Sequence, residues 1–184
     1  MRKISAFNFL TLNGYFKGEN EDISWHRHGN EEAEYSAQSI KKDNILLFGR
    51  KTYQMMESFW PTALANEQNP VVAKGMNKAE KIVFSTTLKN AGWNNTRIIH
   101  ENMVQVLSSL KQTPGKDMTI LGSGNIITQL TDAALIDEYL LMIDPVAIPR
   151  GTSIFDNLQK SLQLQLSESR TFNSGVILLT YTTT

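Results

Sequence analysis

The chain has 184 residues, 41% hydrophobic and 20% charged, enough for one globular domain with a sizeable core, which excludes a disordered chain. Eighteen Lys and Arg balance eighteen Asp and Glu, so no global field draws it to nucleic acid or an anionic membrane, and any anion must be held locally. The absence of cysteine removes disulfides, thiolate metal sites and cysteine nucleophiles, and fits a reducing cytoplasm.

Residues 4–12 are aromatic and aliphatic, end at Asn13-Gly14, and are too few for a three-turn core helix; they predict a buried strand. Asn8, Thr11 and Asn13 interrupt that apolar run, so it is not expected to act as a secretory leader. Residues 31–42 predict a helix, with Ala33, Ala37 and Ile40 on one face, acidic side chains in the first turn and Lys41-Lys42 in the last. Ile45-Leu46-Leu47-Phe48 is a short apolar strand stopped by Gly49, and residues 51–59 predict a helix that Pro61 ends. Residues 81–84 and 97–100 predict two more strands separated by a polar loop. Met103, Val106, Leu107 and Leu110 stand at helical spacing before Pro114-Gly115, and residues 118–121 rise as a strand into Gly122-Ser123-Gly124. Ile126, Ile127 and Leu130 mark the face of the next helix. Beyond it, residues 136–148 predict a long strand, Pro149-Arg150-Gly151 a turn, and residues 162–166 and 176–181 two further strands. Strands alternating with helices early and joined by turns late predict one domain over residues 1–184. Its fold class is α/β, three layers (α/β/α) around a mostly parallel sheet with an antiparallel C-terminal edge.

Two strand-to-helix turns contain glycine, Gly49-Arg50-Lys51-Thr52 and Gly122-Ser123-Gly124-Asn125. Ligands of open α/β sheets gather beyond the carboxyl ends of strands, where helix N-termini offer unpaired N–H groups to phosphates. Two such turns suit a dinucleotide, although turn geometry alone also calls for glycine. The usual dinucleotide fingerprint is absent, because Gly122-x-Gly124-x-x-Ile127 lacks the third small residue and lies late in the chain. No Walker A loop or nucleophile elbow is present, so Ser123 reads as a phosphate ligand or a helix cap. Trp25-His26-Arg27-His28 reads as a solvated loop, and no metal site is expected. Glu31, Glu32 and Glu34 read as a solvated first turn, with Glu32 and Glu34 kept as weak candidates for a proton donor. No role is attached to Trp60 or Trp93.

In order along the chain stand Thr11-Leu12-Asn13-Gly14, Leu47-Phe48-Gly49-Arg50-Lys51-Thr52-Tyr53, Ile82-Val83-Phe84-Ser85-Thr86-Thr87-Leu88, Leu121-Gly122-Ser123-Gly124 and Asp137-Glu138-Tyr139 leading to Pro145-Val146. This series resembles the dihydrofolate-reductase-like superfamily, and within it the reductase domain of bacterial bifunctional riboflavin-biosynthesis enzymes. The resemblance implies that fold and an NADPH-dependent reductase. It puts Arg50 near the cofactor's 2′-phosphate, Thr52 near the pyrophosphate, and Ser85 with Thr86 on the adenosine side. It puts Gly122, Ser123, Gly124, Asn125 and Ile126 around the pyrophosphate and nicotinamide ribose, and Ala6 and Gly14 at the border of the nicotinamide and substrate cleft. Asn13 of that cleft stands where riboflavin-branch relatives commonly carry an aspartate, and Pro149 where a glycine is common.

The resulting expectation is a stand-alone homologue, without the zinc deaminase domain, that transfers a hydride from NADPH to a C=N or C=O group of a small heterocyclic or sugar-derived substrate. A non-catalytic nucleotide-binding module on the same fold and a dihydrofolate reductase are the alternatives. The resemblance also implies a homodimer.

Overall fold

The computed structural model describes residues 1–27 and 29–184. The chain runs through β1 (Ile4–Thr11), β2 (Tyr15–Gly18), a 3-10 turn (Glu19–Glu21), α1 (Asn30–Ile40), β3 (Ile45–Gly49), α2 (Arg50–Phe59), α3 (Ala63–Gln68) and α4 (Pro70–Lys78). It continues through β4 (Lys81–Phe84), β5 (Thr96–Ile99), α5 (Met103–Gln112), β6 (Met118–Leu121), α6 (Gly124–Asp132), β7 (Glu138–Asp144), β8 (Gly151–Ser153), β9 (Leu164–Thr171) and β10 (Ile177–Thr183). The main sheet has eight strands in the order β5-β4-β3-β6-β1-β7-β10-β9, and β2 with β8 forms a separate ribbon. Strands β1 and β3 to β7 pair in parallel, while β10 is antiparallel to both β7 and β9. The expected α/β class, with an antiparallel C-terminal edge, is what the chain adopts.

Period-two alternation on the strands sets the layers. On β3, Ile45 and Leu47 join the core under α5 and α6, whereas Leu46 and Phe48 face Tyr53, Val72 and Met76 of α2 and α4. On β1, Ile4, Ala6 and Leu10 face the α5–α6 side, while Phe7 and Phe9 pack with Tyr35, Met142 and Leu178 on the other. Leu47, Leu107, Ile120 and Leu130 are fully buried, and each contributes about 2 kcal/mol of apolar transfer.

Several bounds differ from the sequence reading. The strand expected over residues 136–148 stops at Asp144, because Pro145 has no N–H for a ladder. Helices α3 and α4 fill the stretch after Pro61, where no element was expected. The Thr62 side chain caps α3 by accepting the Ala65 N–H at 3.2 Å, and Pro70 opens α4. Strand β9 runs to Thr171, beyond the expected end at residue 166; its second half is polar on both faces and is held by pairing with β10.

Candidate functional site

Neighbouring parallel strands β3 and β6 both end in a glycine turn, and their following helices leave to opposite faces of the sheet. Tyr53 and Met56 of α2 pack on one side, Ile126, Ile127 and Leu130 of α6 on the other. A crevice opens at such a switch point. Ser123 spans it: its Oγ accepts the Gly49 N–H at 2.8 Å and donates to Thr52 Oγ1 at 3.0 Å. The first residues after Phe48 and after Leu121 are thereby drawn to one place.

The backbone there is shaped for close approach. Gly122 has φ +63, and a Cβ on it would stand 3.2 Å from Thr52 Cγ2. A Cβ on Gly49 would come within 2.9 Å of Ser123 Oγ. Neither Gly49 nor Ser123 caps its helix with a side chain, so the leading N–H groups of α2 and α6 keep their capacity for an anion. Ile126 differs from its neighbours: its N–H donates to Ser123 O at 2.9 Å and its side chain lies in the core.

Around the crevice, Arg50 is exposed at the start of α2, its Nη1 3.4 Å from Gln54 Oε1. Lys51 pairs with Glu21 at 2.8 Å, as does Lys17 at 2.7 Å. Hydrogen bonds from Lys17 and then Lys51 hold the Glu21 carboxyl below its ordinary value. Ser85 Oγ accepts the N–H groups of Thr87 and Leu88 at 3.2 and 2.9 Å, turning the chain after β4 and leaving Thr86 exposed. Asn125 Oδ1 accepts from Gln129 Nε2 at 2.8 Å. Asn13 clips two loops together: Nδ2 donates to Ile148 O at 2.8 Å and Oδ1 accepts from Thr11 Oγ1 at 2.9 Å. Gly14 turns beside it with φ +85, whereas Ala6 is wholly inside the core.

On β1, Asn8 lies on the α6 side between Ala6 and Leu10. It is 3% exposed, and its Oδ1 meets no hydrogen-bond partner among the described residues. Phe7 pairs with Leu121, the last residue of β6, and the Gly122 N–H reaches Phe7 O at 3.4 Å. Asn8 is thus the first β1 residue whose β6-side neighbour is the glycine turn instead of a strand.

The opposite face corrects two expectations. His26 is not in a solvated loop: it is 7% exposed, its Nδ1 lies 2.8 Å from Oδ2 of the fully buried Asp144, and its ring stacks on Phe9 at 3.7 Å. The Arg27 N–H donates to Asp144 Oδ1 at 2.8 Å, so the carboxylate at the end of β7 anchors this segment through both contacts. His28, read with it, lies outside the described residues. Glu32 is likewise not a solvated side chain: it is 4% exposed and accepts from Ser174 Oγ. Glu34 is exposed and faces a shallow groove beside Ala37 and Pro70, apart from Glu32. Among the described residues, no cluster of His, Cys, Asp and Glu could hold a metal, and no helix is long and apolar enough to cross a membrane.

The sequence profile of the RibD C-terminal domain family matches residues 2–178. The chain belongs to that family. Relatives of this RibD C-terminal domain protein include the uncharacterized protein YyaP of Bacillus subtilis (strain 168), 27% identical over 180 residues, covering 98% of this chain and 94% of YyaP. A second, the uncharacterized YwjB of the same strain, is 23% identical over 180 residues and 95% of each chain. Among solved structures, a protein of Shewanella sp. PV-4 with a provisional assignment to riboflavin biosynthesis matches with TM-score 0.76, at 19% identity over 99% of both chains. A pyrimidine reductase-like protein of Corynebacterium diphtheriae matches with TM-score 0.67, at 14% identity over 100% of this chain and 92% of its own. These two likenesses share the fold across essentially the whole chain.

Proposed function

We propose that this RibD C-terminal domain protein is a reductase that binds NADPH at the β3–β6 crevice and reduces a C=N or C=O group of a small heterocyclic or sugar-derived substrate. The observation that carries the reading is the convergence of two uncapped helix N-termini on Ser123 Oγ, at 2.8 Å from Gly49 N and 3.0 Å from Thr52 Oγ1. The residues present fit a phosphorylated dinucleotide. Glycines at 49 and 122 keep side chains out of the cradle, the leading N–H groups of α2 and α6 suit a pyrophosphate, and Arg50 is exposed where a 2′-phosphate needs a cation. Ser85 and Thr86, at the end of β4 beyond β3, border the adenosine side.

When bound, the cofactor supplies a hydride to an electrophilic carbon, whose nitrogen or oxygen then takes a proton. The chain's own work is orientation: Ser123 locks the two turns together, Thr52 offers a hydroxyl beside them, and the α6 face of β1 backs the cleft. Pairing in the family with a pyrimidine reductase-like fold neighbour supports a reductase over a passive binding module.

The test is titration of NADPH followed by its fluorescence. Arg50→Ala is expected to weaken NADPH at least about tenfold and to leave NADH nearly unchanged, since only NADPH brings the extra phosphate. Equal losses for both cofactors would remove that role from Arg50, and no fluorescence change at millimolar NADPH would remove the reading. A homodimer belongs to the same proposal, formed along β9, which occupies the sheet edge and, among the described residues, pairs only with β10. Sedimentation equilibrium giving the mass of one chain would count against it.

A further inference from the structure

Asn8 poses a problem that the fold does not solve. A buried amide oxygen without a partner keeps the full cost of its lost hydration, and native chains rarely keep one without use. Here the orphan is Oδ1 of Asn8, 3% exposed, on the α6 face of β1 and alongside the turn that begins at Gly122. A core position between Ala6 and Leu10 is ordinarily served by an aliphatic side chain, as its strand neighbour Leu141 illustrates. An acceptor therefore stands beside the glycine turn that bounds the crevice, with no partner among the described residues.

The direction of the crevice says what reaches it. Strand β6 is flanked by β3 on one side and β1 on the other. Arg50, exposed and in no ion pair among the described residues, lies on the β3 side, at the start of α2. A dinucleotide whose diphosphate rests on the two helix N-termini and whose phosphorylated ribose meets Arg50 therefore sends its other end toward β1 and Asn8. The group arriving there must donate a hydrogen bond without carrying a full charge into a buried place, and a primary carboxamide does this.

Resting on the reading above, we propose that Asn8 is the receptor for the carboxamide N–H of the nicotinamide ring and so fixes which way that ring is turned in the cleft. The hydrogen bond exists only when the ligand is bound, which is why the amide oxygen stands alone without it.

Binding, and not turnover, tests this. Three probes are titrated by calorimetry: NADP+, its 3-acetylpyridine analogue, which keeps the carbonyl but lacks the amide N–H, and 2′,5′-ADP, which lacks the ring. The wild type is expected to bind NADP+ about tenfold more tightly than the acetyl analogue. Asn8→Leu is expected to bind the two alike, to bind 2′,5′-ADP as the wild type does, and to melt no lower than the wild type without ligand. Should Asn8→Leu fail to fold, Asn8→Ala makes the same comparison. A variant that still prefers NADP+ tenfold, or a wild type that binds both dinucleotides equally, overturns the assignment of Asn8 alone. Failure of the wild type to bind any of the three probes overturns the cofactor reading and this inference with it.

Discussion

Ser123 holds a φ of 66°, a conformation that costs a residue with a side chain on the order of 1 kcal/mol, and its hydroxyl ties Gly49 N to Thr52 Oγ1. Ser123→Ala keeps the strain and loses both bonds, and should destabilise the fold by about 2 kcal/mol in urea unfolding. Ser123→Gly also loses the bonds but relieves the strain, so it should fall between Ala and the wild type; a glycine variant less stable than the alanine one would contradict this. At the far end of the sheet, Lys81 is buried with its ammonium on the carbonyls of Ala79 at 2.7 Å and Asn94 at 3.0 Å and over the Trp93 ring at 4.4 Å. Burial pulls its pKa from 10.5 down to about 8. Between those values the unfolded chain binds a proton that the folded chain has released, so raising the pH from about 8 to about 10 should stabilise the fold. Above about 10 the phenols of Tyr35, Tyr53 and Tyr139, raised chiefly by burial, oppose it, because the unfolded phenols ionise first. Urea midpoints at stepped pH should show the rise, and Lys81→Met should flatten it; an unchanged slope would remove Lys81 as its source. Single residues were the least legible level in the sequence: Asn8 shows there only as a break in an apolar run, and nothing local tells that its amide is buried.

At the level of elements, the segment between β2 and α1 takes its shape from a strand it does not adjoin in sequence. Asp144 at the end of β7 binds both His26 and the Arg27 N–H across more than a hundred residues. Removing the carboxylate in Asp144→Ala takes this acceptor from the buried His26 Nδ1 and from the half-buried Arg27 N–H, and should cost about 2–4 kcal/mol. Hydrogen exchange at the Arg27 amide should speed up with it, and an amide protected as before would refute the anchoring role. The same long range explains why Trp25-His26-Arg27 reads in the sequence as a solvated loop: the acid that buries His26 is the last residue of a strand far downstream. Elements with strong periodicity, such as β3 and α6, were legible because their apolar positions alone fix the buried face. Helices α3 and α4 were not, since their short amphipathic turns lie between prolines and polar residues. The ribbon of β2 and β8 was hidden for another reason, its two strands being only four and three residues long.

For the molecule as a whole, strand order decides function more than any side chain does. Placing β6 between β3 and β1 sends α2 and α6 to opposite faces and leaves their N-termini facing one crevice. That order could be anticipated only through the resemblance carried by five short motifs, because periodicity locates strands without saying which are neighbours. On the proposed function, the turns after Phe48 and Leu121 hold one diphosphate-bearing ligand between them. The most direct measurement of this is the backbone amide spectrum of isotopically labelled protein during an NADPH titration. The amides of Arg50 and Lys51 and those of Gly124 and Asn125 are expected to shift together along one binding curve. Movement of one turn without the other, or of neither at saturating cofactor, would contradict it.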